Sequence, residues 1–311
     1  VLFADCGSLA SAADRIIFRD LKIESSRTVE SFDVDGVGLD DGTVVGWDRI
    51  KQATVASGQA EFDQLLAELG LPLLRVQQRM KSEDYRGVSE PAEALLPKYL
   101  GRDSETAFVV TLAATWGRIA SGRQEEALVP YLYCLDWIKR RKGKGIPWPG
   151  KRRLDVDLNT GICQEIPPLW TDSDRAAKVL PDVGKAIGAM ARPWLPGVRI
   201  YYAALANAAN EDERVTLALR ELPSDEYWTL YRTIALSTAS EKPASEKLRS
   251  EKLRSEKDKA ILREGSLTGD PLQRALSLYW LGRQGLAEDA GAMHDAGLVD
   301  LIRVAAIFGD D

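Results

Sequence analysis

The 311-residue chain contains one histidine, His294, and three cysteines, Cys6, Cys134 and Cys163. A single histidine excludes a metal site built from several imidazoles, and a catalytic triad would have to use this residue. We expect His294 near a helix end, where the helix dipole stabilises its charged form. The cysteines are too few and too widely spaced for a disulfide framework or a zinc knuckle. A Cys6–Cys163 pair stays open, so the cysteine content does not fix the compartment.

The chain also lacks any run of about 18 apolar residues, so no transmembrane segment is expected. Its formal net charge of −6 argues against nucleic-acid binding over the whole surface. The apolar fraction of 45% is ordinary for a soluble globular protein of one or two domains. No signal peptide is visible, but the first residue is Val1 rather than methionine. Two compartments therefore remain open: an exported, periplasmic chain from which a leader has been removed, or a cytoplasmic chain.

The apolar pattern changes along the chain and predicts an α+β fold that is mainly α. Residues 14–55 hold short apolar or alternating runs, and Asp35-Gly36 and Asp41-Gly42 are typical of hairpin turns. A small β-rich domain, a barrel or curled sheet, is predicted for residues 1–56. From about Gly58 the apolar residues recur at three- and four-residue spacing. An α-helical, repeat-like domain is therefore predicted for residues 57–311.

Local sequence rules also predict where several helices begin and end. Gly70 is expected to end one helix, and Ser89-Glu90-Pro91 to begin another. Asp172-Ser173 is expected to cap a helix that Pro181 kinks or divides.

Two segments interrupt the helical pattern. Residues 139–172 are rich in basic residues, glycine and proline, and an excursion with a basic loop and a short β-hairpin is predicted there. In residues 240–259 Ser-Glu-Lys recurs every five residues. This period does not repeat on one helix face, so it predicts either a solvated helix or a disordered linker.

Residues 111–135 form the most informative stretch. Leu112, Trp116 and Ile119 line one face of a predicted helix, which Ser121-Gly122 ends. A second apolar stretch follows from Ala127. Two short helices cannot bury their apolar faces alone, so they must pack on each other and on neighbouring helices.

The run GRQEEAL at residues 122–128 resembles the turn and second-helix start of a tetratricopeptide repeat, with Ala127 where that family packs its helices closely. Thr115 and Cys134 depart from it, because the family has small residues there. The whole chain resembles bacterial proteins with a small N-terminal β domain followed by tetratricopeptide-like helices. The resemblance implies an irregular helical repeat array that serves protein–protein interaction, and it supplies no catalytic residue and no cofactor.

Aromatic residues of the later helices occur at helical spacings and are predicted to pack in the core and between repeats. A concave aromatic groove would nevertheless be a normal place for a peptide to dock. These residues are Tyr201, Tyr202, Trp228, Tyr231, Tyr279 and Trp280.

The basic stretch at residues 139–153 is the candidate binding surface. Basic side chains with an interleaved tryptophan suit contacts to phosphates or to an acidic protein surface. The alternative is that the first cations complete a helix and the others are solvated. The candidate residues are Lys139, Arg140, Arg141, Lys144, Trp148, Lys151, Arg152 and Arg153.

Asp155-x-Asp157-x-Asn159 has the first ligands of an EF-hand calcium loop, but the sixth and twelfth positions are Thr160 and Ile166. A polar strand and turn are predicted there instead, and neither a metal nor a cofactor is expected.

Three functions follow from these observations. The first is a non-enzymatic scaffold or accessory subunit that binds another protein through the helical array. The second is an RNA or polysaccharide binder that uses the basic loop at residues 139–153. The third is a hydrolase with two carboxylates facing each other in a helical groove.

Overall fold

The computed structural model describes residues 14–170, 172–237, 248–287 and 297–304, and the side chains of residues 248–255 and 287 lie outside this description. Cys6 and His294 are not among the described residues, so the predictions made for them stay predictions. The chain divides into two compact units. Unit 1 contains the described residues up to Gly122 and Gly145–Arg153. Unit 2 contains Arg123–Lys144 and the described residues from Leu154 onward. The domain boundary at residue 56 remains a sequence-based prediction.

The described residues of unit 1 contain six short strands: β1 (Arg15–Phe18), β2 (Ile23–Glu24), β3 (Val29–Asp33), β4 (Gly36–Leu39), β5 (Val44–Val45) and β6 (Ile50–Thr54). They form two antiparallel three-stranded sheets, in the orders β2-β1-β6 and β3-β4-β5. Turns form at Asp35-Gly36 and Asp41-Gly42, as predicted. A Cβ at Gly36 would lie 2.7 Å from the Val45 carbonyl oxygen, so only glycine fits there.

The finer predictions for this region need correction. The described strands form two sheets and do not close into a barrel. Leu21, which belongs to the short apolar runs of residues 14–55, lies in the β1–β2 turn with φ 69° rather than in a strand. Trp47 begins a 3₁₀ turn, Trp47–Arg49, because its indole N–H donates to the Asp33 carbonyl (2.7 Å) and turns the ring into the core. There it meets Phe62 edge-on, with ring centroids 4.9 Å apart.

The helices of unit 1 follow the strands: α1 (Gln59–Leu65), α2 (Leu71–Lys81), α3 (Tyr85–Tyr99) and α4 (Glu105–Ala120). A π-helical turn, Leu66–Gly70, joins α1 to α2, so Gly70 does not end a helix as predicted. Helix α3 begins before Ser89-Glu90-Pro91, because the Asp84 side chain accepts a hydrogen bond from the Gly87 N–H. In unit 1, α3 packs against both α2 and α4.

Unit 2 contains α5 (Gln124–Arg140), α6 (Ser173–Ala189), α7 (Pro196–Ala208), α8 (Asp212–Arg220), α9 (Glu226–Leu236), α10 (Leu248–Thr268) and α11 (Pro271–Ala287). Helix α6 packs against α5 and α7, and α7 packs against α8 and α9. Helices α9, α10 and α11 pack against one another. Residues 297–304 are also helical. The protein is thus mainly helical, with a small antiparallel β region, as predicted.

The structure tests several of the predictions made for unit 2. Asp172 caps α6 by accepting from the Arg175 N–H (2.9 Å), but Pro181 lies inside α6 without dividing it. The predicted β-hairpin of residues 139–172 is reduced to isolated bridges, Val156–Cys163 and Cys163–Ile166. Of the low-complexity segment, residues 248–259 belong to α10, whereas residues 240–247 lie outside the described residues.

The two helices predicted in residues 111–135 are present as α4 and α5. Helix α4 belongs to unit 1, where it packs against α3, and α5 belongs to unit 2, where it packs against α6. Their relation to a tetratricopeptide repeat stays a prediction. None of the described helices is long and apolar enough to cross a lipid bilayer.

Candidate functional site

The basic stretch at residues 139–153 is shared between the two units. Lys139, Arg140, Arg141 and Lys144 belong to unit 2, whereas Trp148, Lys151, Arg152 and Arg153 belong to unit 1. The eight candidate residues therefore do not form one cluster within either unit.

The cations at the end of α5 are engaged by unit 2 itself. The Lys139 ammonium donates to the Ala191 carbonyl (3.1 Å) and to the Pro193 carbonyl. Arg140 forms an i,i+4 ion pair with Asp136 (3.0 Å). These contacts complete a helix end, as the alternative interpretation of the sequence expected.

Arginines of the stretch also cover tryptophan rings that are buried. The Arg141 guanidinium lies 3.6 Å from the ring centroid of Trp137, and that of Arg152 lies 4.8 Å from the ring centroid of Trp116. Both tryptophans are only 2% exposed. Trp148 is half-buried and meets the Phe108 ring edge-on, at 5.6 Å between centroids. Among the eight candidate residues, the exposed cations for which the described residues offer no such contact are Lys144, Lys151 and Arg153.

A different site lies in unit 2, between α6, α7 and α8. There a groove of about 290 Å³ is lined by Gly184 and Gly188 of α6, Val198 and Tyr202 of α7, and Leu217 of α8. The two glycines lie one turn apart, so α6 presents backbone at these two positions, and Ile187 between them also lines the groove. A Cβ at Gly184 would lie 3.8 Å from the Tyr202 ring, and one at Gly188 would meet nothing within 4 Å.

Trp194 forms one wall of the groove. Its ring lies between two arginines, with guanidinium distances of 4.9 Å for Arg192 and 5.3 Å for Arg199. The indole N–H finds no acceptor among the described residues, so these cation–π contacts orient the ring. The same three residues also line a second groove of about 680 Å³.

The two arginines differ in charge compensation. Arg199 forms an ion pair with Glu221 and is 20% exposed at its side chain. Arg192 is exposed, and in the described part of the chain no carboxylate lies within ion-pair distance of it. The groove therefore carries one uncompensated positive charge beside an apolar surface.

Most of the aromatic residues predicted to be core are buried. Tyr201, Trp228, Tyr231 and Trp280 are at most 6% exposed. Tyr202 is the exception that matters, because its ring lines the groove next to Gly184.

Cys163 lies in a polar cluster inside unit 2. Its thiol donates to Glu165 (3.1 Å), and its backbone N–H donates to the Tyr201 hydroxyl (2.9 Å). Burial raises the pKa of the Cys163 thiol well above its usual range. The neutral thiol is a poor nucleophile, so the cluster supports structure rather than nucleophilic chemistry.

In the segment whose first residues match an EF-hand loop, Asp157 stabilises a turn. Asp157 accepts from the Asn159 N–H (2.9 Å) and from the Thr160 hydroxyl (2.8 Å). Across the described residues, no group of three histidine, cysteine, aspartate or glutamate side chains is placed to hold a metal ion.

The groove was not predicted from the sequence. Residues 192–199, RPWLPGVR, were interpreted only as a turn between helices. Two signals were present: a tryptophan flanked by arginines in a proline-rich turn, and glycines four residues apart on the preceding helix. Comparisons with protein-family models, with curated proteins and with solved structures found no match for this chain, so the groove's chemistry rests on its own residues.

Proposed function

We propose that this chain is a non-enzymatic scaffold or accessory subunit that binds another protein, and that a segment of that partner docks in the groove between α6, α7 and α8. The observation that carries the proposal is the groove itself, with a half-buried tryptophan, an apolar floor and two arginines in one place. Tryptophan, tyrosine and arginine are the residues that dominate protein–protein binding energies.

The size and shape of the groove favour a peptide segment. Its volume of about 290 Å³ is at the lower end of ligand sites, enough for one or two side chains of a longer segment. Leu217 at the groove is 65% exposed, and a docked segment would remove that apolar surface from water.

The two other candidate functions receive less support. In the basic stretch, Lys139, Arg140, Arg141 and Arg152 already contact carbonyls, a carboxylate or aromatic rings of their own unit. For hydrolysis, two facing carboxylates are needed. Among the described residues that line these two grooves, the larger groove has one carboxylate, Glu221, which is paired with Arg199, and the smaller groove has none.

The test is a selection of phage-displayed dodecapeptides on the whole protein, followed by binding to Gly188→Leu. Because Gly188 faces open space, this change fills the groove without a clash and improves helix propensity. The matched control is Ala189→Leu, which adds the same side chain to an exposed neighbour outside the groove lining.

We expect selected peptides to bind the wild type and Ala189→Leu equally, and Gly188→Leu at least tenfold more weakly. Peptides that bind Gly188→Leu unchanged would place the binding surface elsewhere. Failure to select any peptide would remove the support for docking in this groove.

A further inference from the structure

We infer that the groove selects partner segments in which an apolar side chain adjoins an aspartate or glutamate, and that Arg192 recognises the carboxylate. This inference rests on the function proposed above and names the chemistry of the partner. It follows from the difference between the two arginines, from the apolar floor and from the charge of the chain.

Arg192 is the cation that can accept a new partner. The Arg199 guanidinium is already neutralised by Glu221, and a ligand carboxylate would have to compete with that pair. Arg192 is exposed and has no carboxylate partner among the described residues, so a carboxylate gains its full interaction there.

The contact with Trp194 prepares Arg192 for this role. A guanidinium held over an indole face loses rotational freedom before the ligand arrives, while its edge remains able to donate two parallel hydrogen bonds. Ordering the side chain in advance lowers the entropic cost of binding.

The requirement for an apolar side chain in the partner segment comes from the other residues that line the groove. Gly184 and Gly188 leave room for a side chain, and Leu217 and the ring of Tyr202 supply apolar contact. An acidic side chain alone would leave these surfaces in water. A ligand with an apolar side chain but no acidic one would leave the charge of Arg192 uncompensated.

The net charge of the chain makes this recognition local. With a formal charge of −6, long-range attraction does not favour acidic ligands. Preference for a carboxylate must then come from contact with the uncompensated guanidinium, within the range of a hydrogen bond.

The test uses an array of 12-residue peptides in which one Phe or Leu is followed, one to four residues later, by Asp. Each peptide is matched with an Asn version and titrated by fluorescence polarisation against wild type, Arg192→Gln and the control Arg220→Gln. Arg220 is an exposed arginine at the end of α8 that does not line the groove.

We expect the best Asp peptides to bind wild type and Arg220→Gln five- to tenfold more tightly than their Asn partners. In Arg192→Gln this preference should disappear while the Asn peptides keep their affinity. Equal binding of Asp and Asn peptides, or a preference that survives in Arg192→Gln, would overturn the inference but leave the groove as a docking site. If no peptide binds the wild type, the proposed function fails as well.

Discussion

Two of the regions in which arginines lie over tryptophan rings differ in what this contact does. In the stretch at residues 139–153, Arg141 and Arg152 cover rings that are 2% exposed. At residues 192–199, two arginines hold Trp194, which is only half-buried and lines two grooves. The contact is the same, but the burial of the ring decides whether it stabilises the fold or leaves a surface for a ligand.

The comparison also distinguishes two quantities: how many cations lie close together in sequence, and how many of them remain available to a ligand. The basic stretch has many cations close together in sequence, yet several of them are used by their own unit. The groove has two, of which Arg192 has no carboxylate partner among the described residues. A binding site depends on the second quantity, which local sequence does not display.

The largest expected difference between the regions is in stability. Trp116 is buried and stacked on Tyr85, with centroids 4.8 Å apart, so Trp116→Ala should lower the free energy of unfolding by about 3–5 kcal/mol. Trp194 is half-exposed, and Trp194→Ala should cost about 1 kcal/mol while abolishing peptide binding. Urea unfolding of both variants measures the costs. Equal costs would mean that Trp194 is also a structural residue.

A second contrast lies between neighbours on α7, where Tyr202 lines the groove and Tyr201 is buried against Tyr131 and Cys163. Burial raises the pKa of Tyr131 and Tyr201 well above the usual value. The folded protein therefore keeps these protons above about pH 10, where the unfolded chain loses them. Stability is fully present below that pH and falls as the pH rises further, by about 1.4 kcal/mol per pH unit for each such tyrosine.

Above about pH 10, the stability of the wild type falls with a slope to which each buried tyrosine contributes. Tyr201→Phe should reduce this slope by the contribution of one tyrosine. It should also cost about 1–3 kcal/mol at neutral pH, because the buried Cys163 N–H loses its acceptor. Urea unfolding between pH 8 and 11 measures both effects. Leu132→Ala is the control, since it removes a fully buried side chain without a titrating group and should leave the slope unchanged. An unchanged slope in Tyr201→Phe would contradict the assignment.

Local rules predicted the parts of the fold that depend on local sterics. The turns at Asp35-Gly36 and Asp41-Gly42 form where expected, because glycine supplies backbone conformations that other residues avoid. The predicted helix end at Gly70 and the predicted division of a helix at Pro181 were wrong, because tertiary burial outweighs the local cost. On α6, Val179, Leu180 and Val183 are buried on both sides of Pro181 in the chain.

The groove depends on residues that only the fold brings together. Gly184 and Leu217 are more than thirty positions apart in sequence, and neither indicates a site alone. The pairing of Arg199 with Glu221, which distinguishes Arg199 from Arg192, also depends on the fold, because it joins α7 to the residue that follows α8. Sequence periodicity predicts helices, but not which of their polar residues remain without a partner.

The smallest expected effect belongs to three exposed candidate cations of the basic stretch, Lys144, Lys151 and Arg153. Replacing all three with glutamine should change the free energy of unfolding by no more than about 0.5 kcal/mol per site and should leave peptide binding intact. Lys139→Gln is the matched comparison and should cost about 1 kcal/mol, because Lys139 donates to two carbonyls after α6. The triple variant should also leave binding to oligouridylate and heparin, measured across salt concentrations, as weak as in the wild type. Tight, steeply salt-dependent binding that the triple variant loses would instead show that these three cations bind anions. Cations available to a ligand would then lie outside the groove as well.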